Sequence, residues 1–219
     1  IKKIIENGWS RNVLVMHIEA QSHLKLGASQ TNFASSLPKS TSDFAQELIK
    51  SEYNFEFLDL ADDVHEKVIE KGLIDHIRNF LLELGSGFAF LGSQYKLTVG
   101  DEDFFCDLLF YHTKLRCYFI LELKAGNFKP EYAGKLGFYI TAINRQLKHE
   151  HDNPTIGLLL CKKANKVVVE YALNNNNQPM GVAEYTTGLP SEYKNLLPTP
   201  EQFQHLLNTI DSAEDITNI

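Results

Sequence analysis

Two neighbouring stretches decide how this 219-residue chain folds: Phe104-Phe105-Cys106-Asp107-Leu108-Leu109-Phe110-Tyr111 and Tyr118-Phe119-Ile120-Leu121-Glu122-Leu123-Lys124. Both are rich in aromatic and branched residues, as strands are, and both are apolar on each alternation. The sheet that contains them therefore needs helices on its two faces. Thr113-Lys114 between them reads as a turn, and Gly100-Asp101-Glu102 separates off a third strand-like run, Phe88 to Val99. Together the three runs predict an antiparallel meander. If the hairpin turns between Thr113 and Lys114, opposed residues sum to 227, which sets Asp107 across from Ile120 and diagonal to Glu122. Diagonal partners lie about 7–8 Å apart, close enough for two carboxylates to share one divalent ion.

The charges inside these runs carry the chemistry. An ionised Asp107 among aromatic residues is costly unless a cation or strong donors meet it. Glu122 and Lys124 are two apart on one strand and so face the same side of the sheet.

Working outward, Ile69, Leu73, Ile74, Ile77, Phe80, Leu81 and Leu84 fall on one arc when residues are placed at helical steps. This predicts a single amphipathic helix that starts near Ala61 and is ended by Gly85 and Gly87. Glu66 and Glu70 fall inside that apolar arc. Downstream, Pro130 opens a helix to about Lys148, Thr155 to Cys161 is a fourth strand, Ala164 to Leu173 a helix, and Gly181 to Tyr185 a fifth strand. The first sixty residues read as helical arms: Trp9 to His23 has helix-period apolar residues, and Ser42 is placed to cap a short helix reaching Ile49. The polar stretch Gly27 to Lys39 between them reads as a loop. The arm cannot bury Tyr53, Phe55 and Phe57 by itself, so it must dock on the main domain, on a partner chain or on a region N-terminal to it, and it is expected to supply much of a homodimer interface. The expected organisation is thus a helical arm over 1–60, a domain over 61–187, and a loop, short helix and frayed tail over 188–219.

Composition narrows the class. With 43% hydrophobic and 22% charged residues the chain can build one good core. No apolar run approaches the roughly 20 residues that span a bilayer, so no membrane partner is expected. Cys106, Cys117 and Cys161 are odd in number and sit in apolar runs, which predicts free thiols and fits a reducing cytoplasm. The net charge of -7 argues against a nucleic-acid partner, yet residues 114–166 hold ten Lys or Arg against four acids. That basic middle is compatible with phosphate contact.

An acid, then acid-x-Lys across an antiparallel hairpin, preceded by a helix with an inward Glu, resembles the PD-(D/E)XK nuclease superfamily. The wording is more specific. Ile69-Glu70-Lys71-Gly72-Leu73-Ile74, Glu83-Leu84-Gly85-Ser86-Gly87-Phe88-Ala89-Phe90, Asp107-Leu108-Leu109-Phe110-Tyr111-His112, Leu121-Glu122-Leu123-Lys124-Ala125-Gly126-Asn127-Phe128-Lys129-Pro130-Glu131-Tyr132-Ala133-Gly134-Lys135 and Asp152-Asn153-Pro154-Thr155-Ile156-Gly157-Leu158 are similar to the bacterial YhcG family of that superfamily. The similarity runs to about Tyr185. Asn7-Gly8-Trp9-Ser10-Arg11-Asn12 resembles the end of that family's N-terminal helical region, so the chain reads as part of a longer protein. One departure is that Cys106, not proline, precedes the first acid.

The resemblance implies an α/β fold with a restriction-endonuclease-like core, a mixed central sheet flanked by helices, and divalent-metal-dependent hydrolysis of phosphodiester bonds, in DNA more than in RNA. It implies Asp107 and Glu122 as ligands of Mg²⁺ or Mn²⁺, Lys124 as the base that orients water, and Glu70 as a further acid. Lys135, Tyr139 and Lys129 become substrate contacts. Gln94 and Tyr95, on the first strand, are weaker candidates, and Glu66 matches no family position. Cleavage of both duplex strands favours a homodimer. A non-catalytic nucleic-acid-binding or protein-assembly module that retains a nuclease-like core is the alternative reading. His149 and His151 lie in a Lys-His-Glu-His-Asp stretch that reads as a solvated turn.

Overall fold

The computed structural model describes residues 29–58, 65–174 and 176–187. The helix expected over Trp9 to His23 and the short helix expected within 188–219 lie outside them. The described chain begins with β1 (Gln30–Thr31), α1 (Phe33–Ser36), α2 (Lys39–Leu48), β2 (Glu52–Asn54) and a 3-10 turn (Glu56–Leu58). It continues with α3 (Glu66–Asp75), α4 (Ile77–Leu84), β3 (Phe88–Val99), β4 (Glu102–His112), β5 (Cys117–Asn127), α5 (Pro130–Gln146), β6 (Ile156–Lys163), α6 (Lys166–Asn174) and β7 (Met180–Thr186).

Seven strands form one mixed sheet in the order β1-β7-β6-β5-β4-β3, with β2 also on β7. The β3-β4-β5 meander is antiparallel, as its turns predict. β5, β6 and β7 are parallel, because α5 and α6 carry the chain back between them. The double-sided apolar pattern is explained by two separate cores. Ile69, Leu73, Phe80 and Leu84 of α3 and α4 pack with Phe110, Phe119 and Leu121 on one face. Leu136, Ile140 and Ile143 of α5, with Val169 and Leu173 of α6, pack with Leu109, Ile120 and Leu159 on the other. Gly157 lets α5 lie close on β6: a Cβ there would sit 2.7 Å from Leu136 Cδ2 and 2.8 Å from Ile140 Cδ1.

The expected long helix is two. It breaks at His76, whose φ of -110° and ψ of 33° are not helical. The apolar stripe runs on across the break, so periodicity alone does not register it. Ser42 is not a cap either, since α2 starts at Lys39 behind Pro38, and Ser42 is buried inside the helix.

Residues 29–58 of the expected arm contribute strands as well as helices. β1 pairs antiparallel with Gly181 and Val182, and β2 pairs parallel with Glu184 to Thr186, so the two cover the same edge of β7 end to end. Asn32 locks this arrangement. Its Nδ2 donates to the carbonyls of Asn176 (2.7 Å) and Gln178 (2.9 Å), and its Oδ1 accepts from Met180 N (2.9 Å). Tyr53 and Phe55 are buried in the core that holds Phe80 and Phe110, with Phe55 stacked on Tyr185 at 5.2 Å. The aromatic residues expected to seek another surface thus bury themselves within their own chain.

Beneath that core lies His112, at the closed end of the β4-β5 hairpin. It is fully buried, and its Nδ1 accepts from Leu115 N (3.0 Å). Phe88 and Phe44 meet its ring edge-on. Gly87, at φ 101°, fits against it, where a Cβ would come within 2.7 Å of Nε2. Burial, opposed by a backbone hydrogen bond at Ser86 and reinforced by Lys114, holds this imidazole below its ordinary pKa, in the neutral form.

Candidate active site

The β4-β5 ladder runs from His112↔Cys117 to Leu108↔Leu121 and ends there. Opposed residues sum to 229, not 227, because the turn occupies Thr113 to Arg116 and Arg116 takes a positive φ of 49°. Asp107 consequently comes level with Glu122 instead of diagonal to it. At this point the two side chains take over the acceptor role of backbone carbonyls. Asp107 N donates to Glu122 Oε1 (3.2 Å), and Leu123 N donates to Asp107 Oδ2 (2.9 Å). The strands part around a reciprocal bracket of two carboxylates.

Glu122 is 1% exposed and Lys124 7%. Glu122 Oε2 lies 3.1 Å from Lys135 Nζ and 3.7 Å from Lys124 Nζ. Lys124 Nζ also lies 3.9 Å from Asp107 Oδ2, and it donates to the Leu123 carbonyl. Tyr132 presents its ring 5.5 Å from Lys124 Nζ, and Tyr185 OH donates to the Lys124 carbonyl (3.1 Å). α5 supplies the outer wall: Lys135 Nζ sits 5.2 Å from the Tyr139 ring centre, and Tyr139 OH donates to the Phe105 carbonyl (2.7 Å). Lys129 is exposed at the N-cap of α5, and among the described residues it makes no side-chain contact with this centre.

α3 brings the third acid. Glu70 Oε2 accepts from Gln94 Nε2 at 2.8 Å, and the same Nε2 reaches Asp107 Oδ1 at 3.4 Å. Sequence reasoning passed over Glu66, one turn earlier on α3. Its Oε2 is 3.2 Å from Lys124 Nζ, the closest carboxylate to that ammonium, and its Oε1 accepts from Ala125 N (3.4 Å). The signal was available in the placement of both Glu66 and Glu70 on the apolar arc.

The electrostatics follow from burial. Glu122 is held above the usual carboxylate range, first by burial and then by the charge of Asp107, while Lys135 and Lys124 pull it down. Burial also raises Glu70, with the Gln94 hydrogen bond opposing and Asp107 adding to the rise. For Lys135 burial works against the charge, but the carboxylate of Glu122 outweighs it and the ammonium titrates higher than usual. Burial, with help from Glu122 and Asp107, pushes the Cys106 thiol up to about 12, so it stays protonated and is no thiolate ligand.

The donors of Asp107, Glu122 and Glu70 are all hard carboxylate oxygens, a set that suits Mg²⁺ or Mn²⁺ better than a thiolate-seeking ion. The charge of Asp107 works against ionisation of both Glu122 and Glu70, and a cation at that point is welcome. Elsewhere, the ligand atoms of His149, Glu150 and His151 lie within 4.8 Å of one another, but all three residues are exposed and consecutive in the turn after α5.

Residues 46–205 match the family described as YhcG PDDEXK nuclease domain. The protein named "Putative nuclease YhcG" from Escherichia coli (strain K12) is 34% identical over 194 residues, covering 87% of this chain and 52% of the relative. The chain thus spans about half the length of that relative. Two solved structures overlay weakly. A repair endonuclease from Pyrococcus abyssi has a TM-score of 0.39 and 14% identity over 59% of this chain and 49% of that one. A complex of EndoMS with dsDNA has a TM-score of 0.38 and 14% identity over 52% and 44%. Among the described residues no helix is long and apolar enough to cross a membrane.

Proposed function

Because the chain belongs to the YhcG PDDEXK nuclease domain family, we propose that its acidic centre hydrolyses phosphodiester bonds in nucleic acid, DNA in preference to RNA, with a divalent cation as cofactor. The observation that carries this reading is Lys124, a buried ammonium within 4 Å of both Asp107 and Glu122. Such a convergence makes little sense for a scaffold, since a buried ion triad is less stabilising than apolar packing of the same volume.

Asp107 and Glu122, with Glu70, are the residues that would hold Mg²⁺ or Mn²⁺. The ion supplies a polarised phosphoryl oxygen and water that ionises near neutral pH. Lys124 is the base that orients the attacking water between the acids, while Glu66 and the Tyr132 ring keep its side chain in place. Lys135 neutralises Glu122 and faces a scissile phosphate; Tyr139, expected as a substrate contact, is instead buried with its hydroxyl on the Phe105 carbonyl and supports the Lys135 ammonium, while Lys129, further out, meets the flanking backbone. The DNA preference rests on the family resemblance. Three free buried thiols are in keeping with a reducing cytoplasm. Cutting both strands of a duplex uses two centres, hence a homodimer, which light scattering of the 219-residue chain checks directly: one chain per particle removes it.

The decisive assay incubates supercoiled plasmid, single-stranded DNA and RNA with the chain and with Glu122→Ala, each with and without Mg²⁺ or Mn²⁺. Cleavage is expected to need the cation and to vanish in the variant. Equal cleavage by both proteins belongs to a contaminant and ends the proposal.

A further inference from the structure

Gln94 stands out twice. It is one of two described residues other than glycine with a positive φ, 44°, and it lies in the middle of a long strand where such a conformation is rare. The β3-β4 pairs Ser93↔Leu108 and Tyr95↔Cys106 flank it without a change of register, so its partner across the ladder is Asp107. Strain of this kind is unfavourable and persists only where the surroundings impose it. Packing does not impose it here, for Gln94 is exposed. Glycine would occupy the position without strain. The return must come through the side chain.

That side chain reaches two carboxylates from one nitrogen, Glu70 Oε2 at 2.8 Å and Asp107 Oδ1 at 3.4 Å. Ionised carboxylates only accept, so the amide must turn its NH₂ toward them. Glu70 and Asp107 belong to different layers, a helix and a strand, and their charges repel. Lys124 and Lys135 contact Glu122, and Lys124 also approaches Asp107 and Glu66, whereas no described cation comes within 4 Å of Glu70 and Lys67 acts on it only from further off. Gln94 is the described side chain that joins Glu70 to the rest of the acidic centre.

We propose that Gln94 is a positioning residue: its strained backbone aims the amide so that Glu70 is held in register with Asp107 as a working member of the acidic centre. The inference rests on the nuclease reading for its purpose and on the hydrogen bonds alone for its geometry. It predicts that Gln94 acts through Glu70.

The test compares the 219-residue chain with Gln94→Gly, Glu70→Gln and the double variant, by melting temperature, by calorimetric Mn²⁺ titration and by plasmid cleavage. Gln94→Gly should melt no lower than the parent, because it removes strain and no packing. It should weaken Mn²⁺ binding and lower kcat roughly tenfold to a hundredfold, with KM for plasmid little changed. The double variant should be no worse than Glu70→Gln alone in both binding and rate. A lower melting temperature with unchanged Mn²⁺ affinity would make Gln94 a structural residue. Losses that multiply in the double variant would make it independent of Glu70. Either result overturns the proposal. If the parent cleaves nothing, the nuclease reading fails by itself, and the Mn²⁺ titration still decides for or against the coupling.

Discussion

The two ends of the β4-β5 hairpin bury polar groups by opposite rules. At the closed end His112 is kept neutral, with one ring nitrogen satisfied by Leu115 N, the ring enclosed by Phe88 and Phe44, and only backbone groups to meet its polar atoms. At the open end Glu122 is as deeply buried, but Lys135, Lys124 and a backbone amide surround it. One end sheds charge to suit its surroundings, while the other builds surroundings to suit its charge. The difference teaches where stability and chemistry are separately lodged on a single pair of strands.

If that division holds, substitutions at the two ends should fail in different assays. The largest effect is expected for Asp107→Asn, which keeps an acceptor for Leu123 N but removes a charge from the open end. Cleavage should drop by about a thousandfold, roughly 4 kcal/mol of transition-state stabilisation, while the melting temperature stays level or rises. A lower melting temperature with the cleavage rate retained would reverse the assignment. Next comes Phe110→Ala near the closed end, where Phe80, Phe88 and Phe90 all contact the ring. Denaturant unfolding should show a loss of about 3–5 kcal/mol, with the folded fraction cutting at the parent's rate. An impaired rate per folded molecule would show that the two ends are not separable.

Glu66→Gln sharpens the comparison within the open end. Glu66 is 46% exposed on its side chain, so its pairing with Lys124 adds little to stability. Its loss should cost roughly tenfold in kcat, about 1.4 kcal/mol, with the melting temperature unmoved. Unchanged kcat would take Glu66 out of the site.

The smallest effect is in the pH dependence, where the two ends should pull in opposite directions. His112 titrates lower folded than unfolded, so the unfolded chain takes up its proton first. Its share of stability is complete above about pH 6.5 and is lost as pH falls from there through the folded value. Glu70 and Glu122 titrate higher folded than unfolded. Their penalty is absent below about pH 4.3 and grows as pH rises through the folded values. Urea unfolding across pH 4–8 should therefore lose its fall toward acid in His112→Asn and part of its opposing trend in Glu70→Gln. Parental slopes in both variants would refute the pairing.

Much of this was legible in the sequence, for identifiable reasons. The β3-β4-β5 meander announced itself through apolar runs on both alternations and through turns at Gly100 and Thr113. Asp107, Glu122 and Lys124 were conspicuous because charge in such runs is expensive. The register was off by two residues, because the wide turn ending at Arg116 leaves no mark distinct from a tight one. β1 and β2 were missed because two- and three-residue strands have no period, and exist only through pairing with β7. Glu66 and Gln94 were passed over or ranked low because their roles depend on contacts 58 and 24 residues away in the chain.

The end-to-end cover that β1 and β2 give β7 has a practical consequence for where the chain can be cut. The family match begins at residue 46, inside α2, and a protein trimmed to that boundary lacks β1, α1 and Asn32. Gly181 and Val182 then face solvent with unpaired backbone groups, and Met180 N loses the Asn32 acceptor. An open strand edge of that kind is a template for stacking onto neighbouring copies. The trimmed protein should sediment at concentrations where the 219-residue chain stays dispersed, and a dead pellet from it would testify to a stripped edge and say nothing against Asp107 or Glu122.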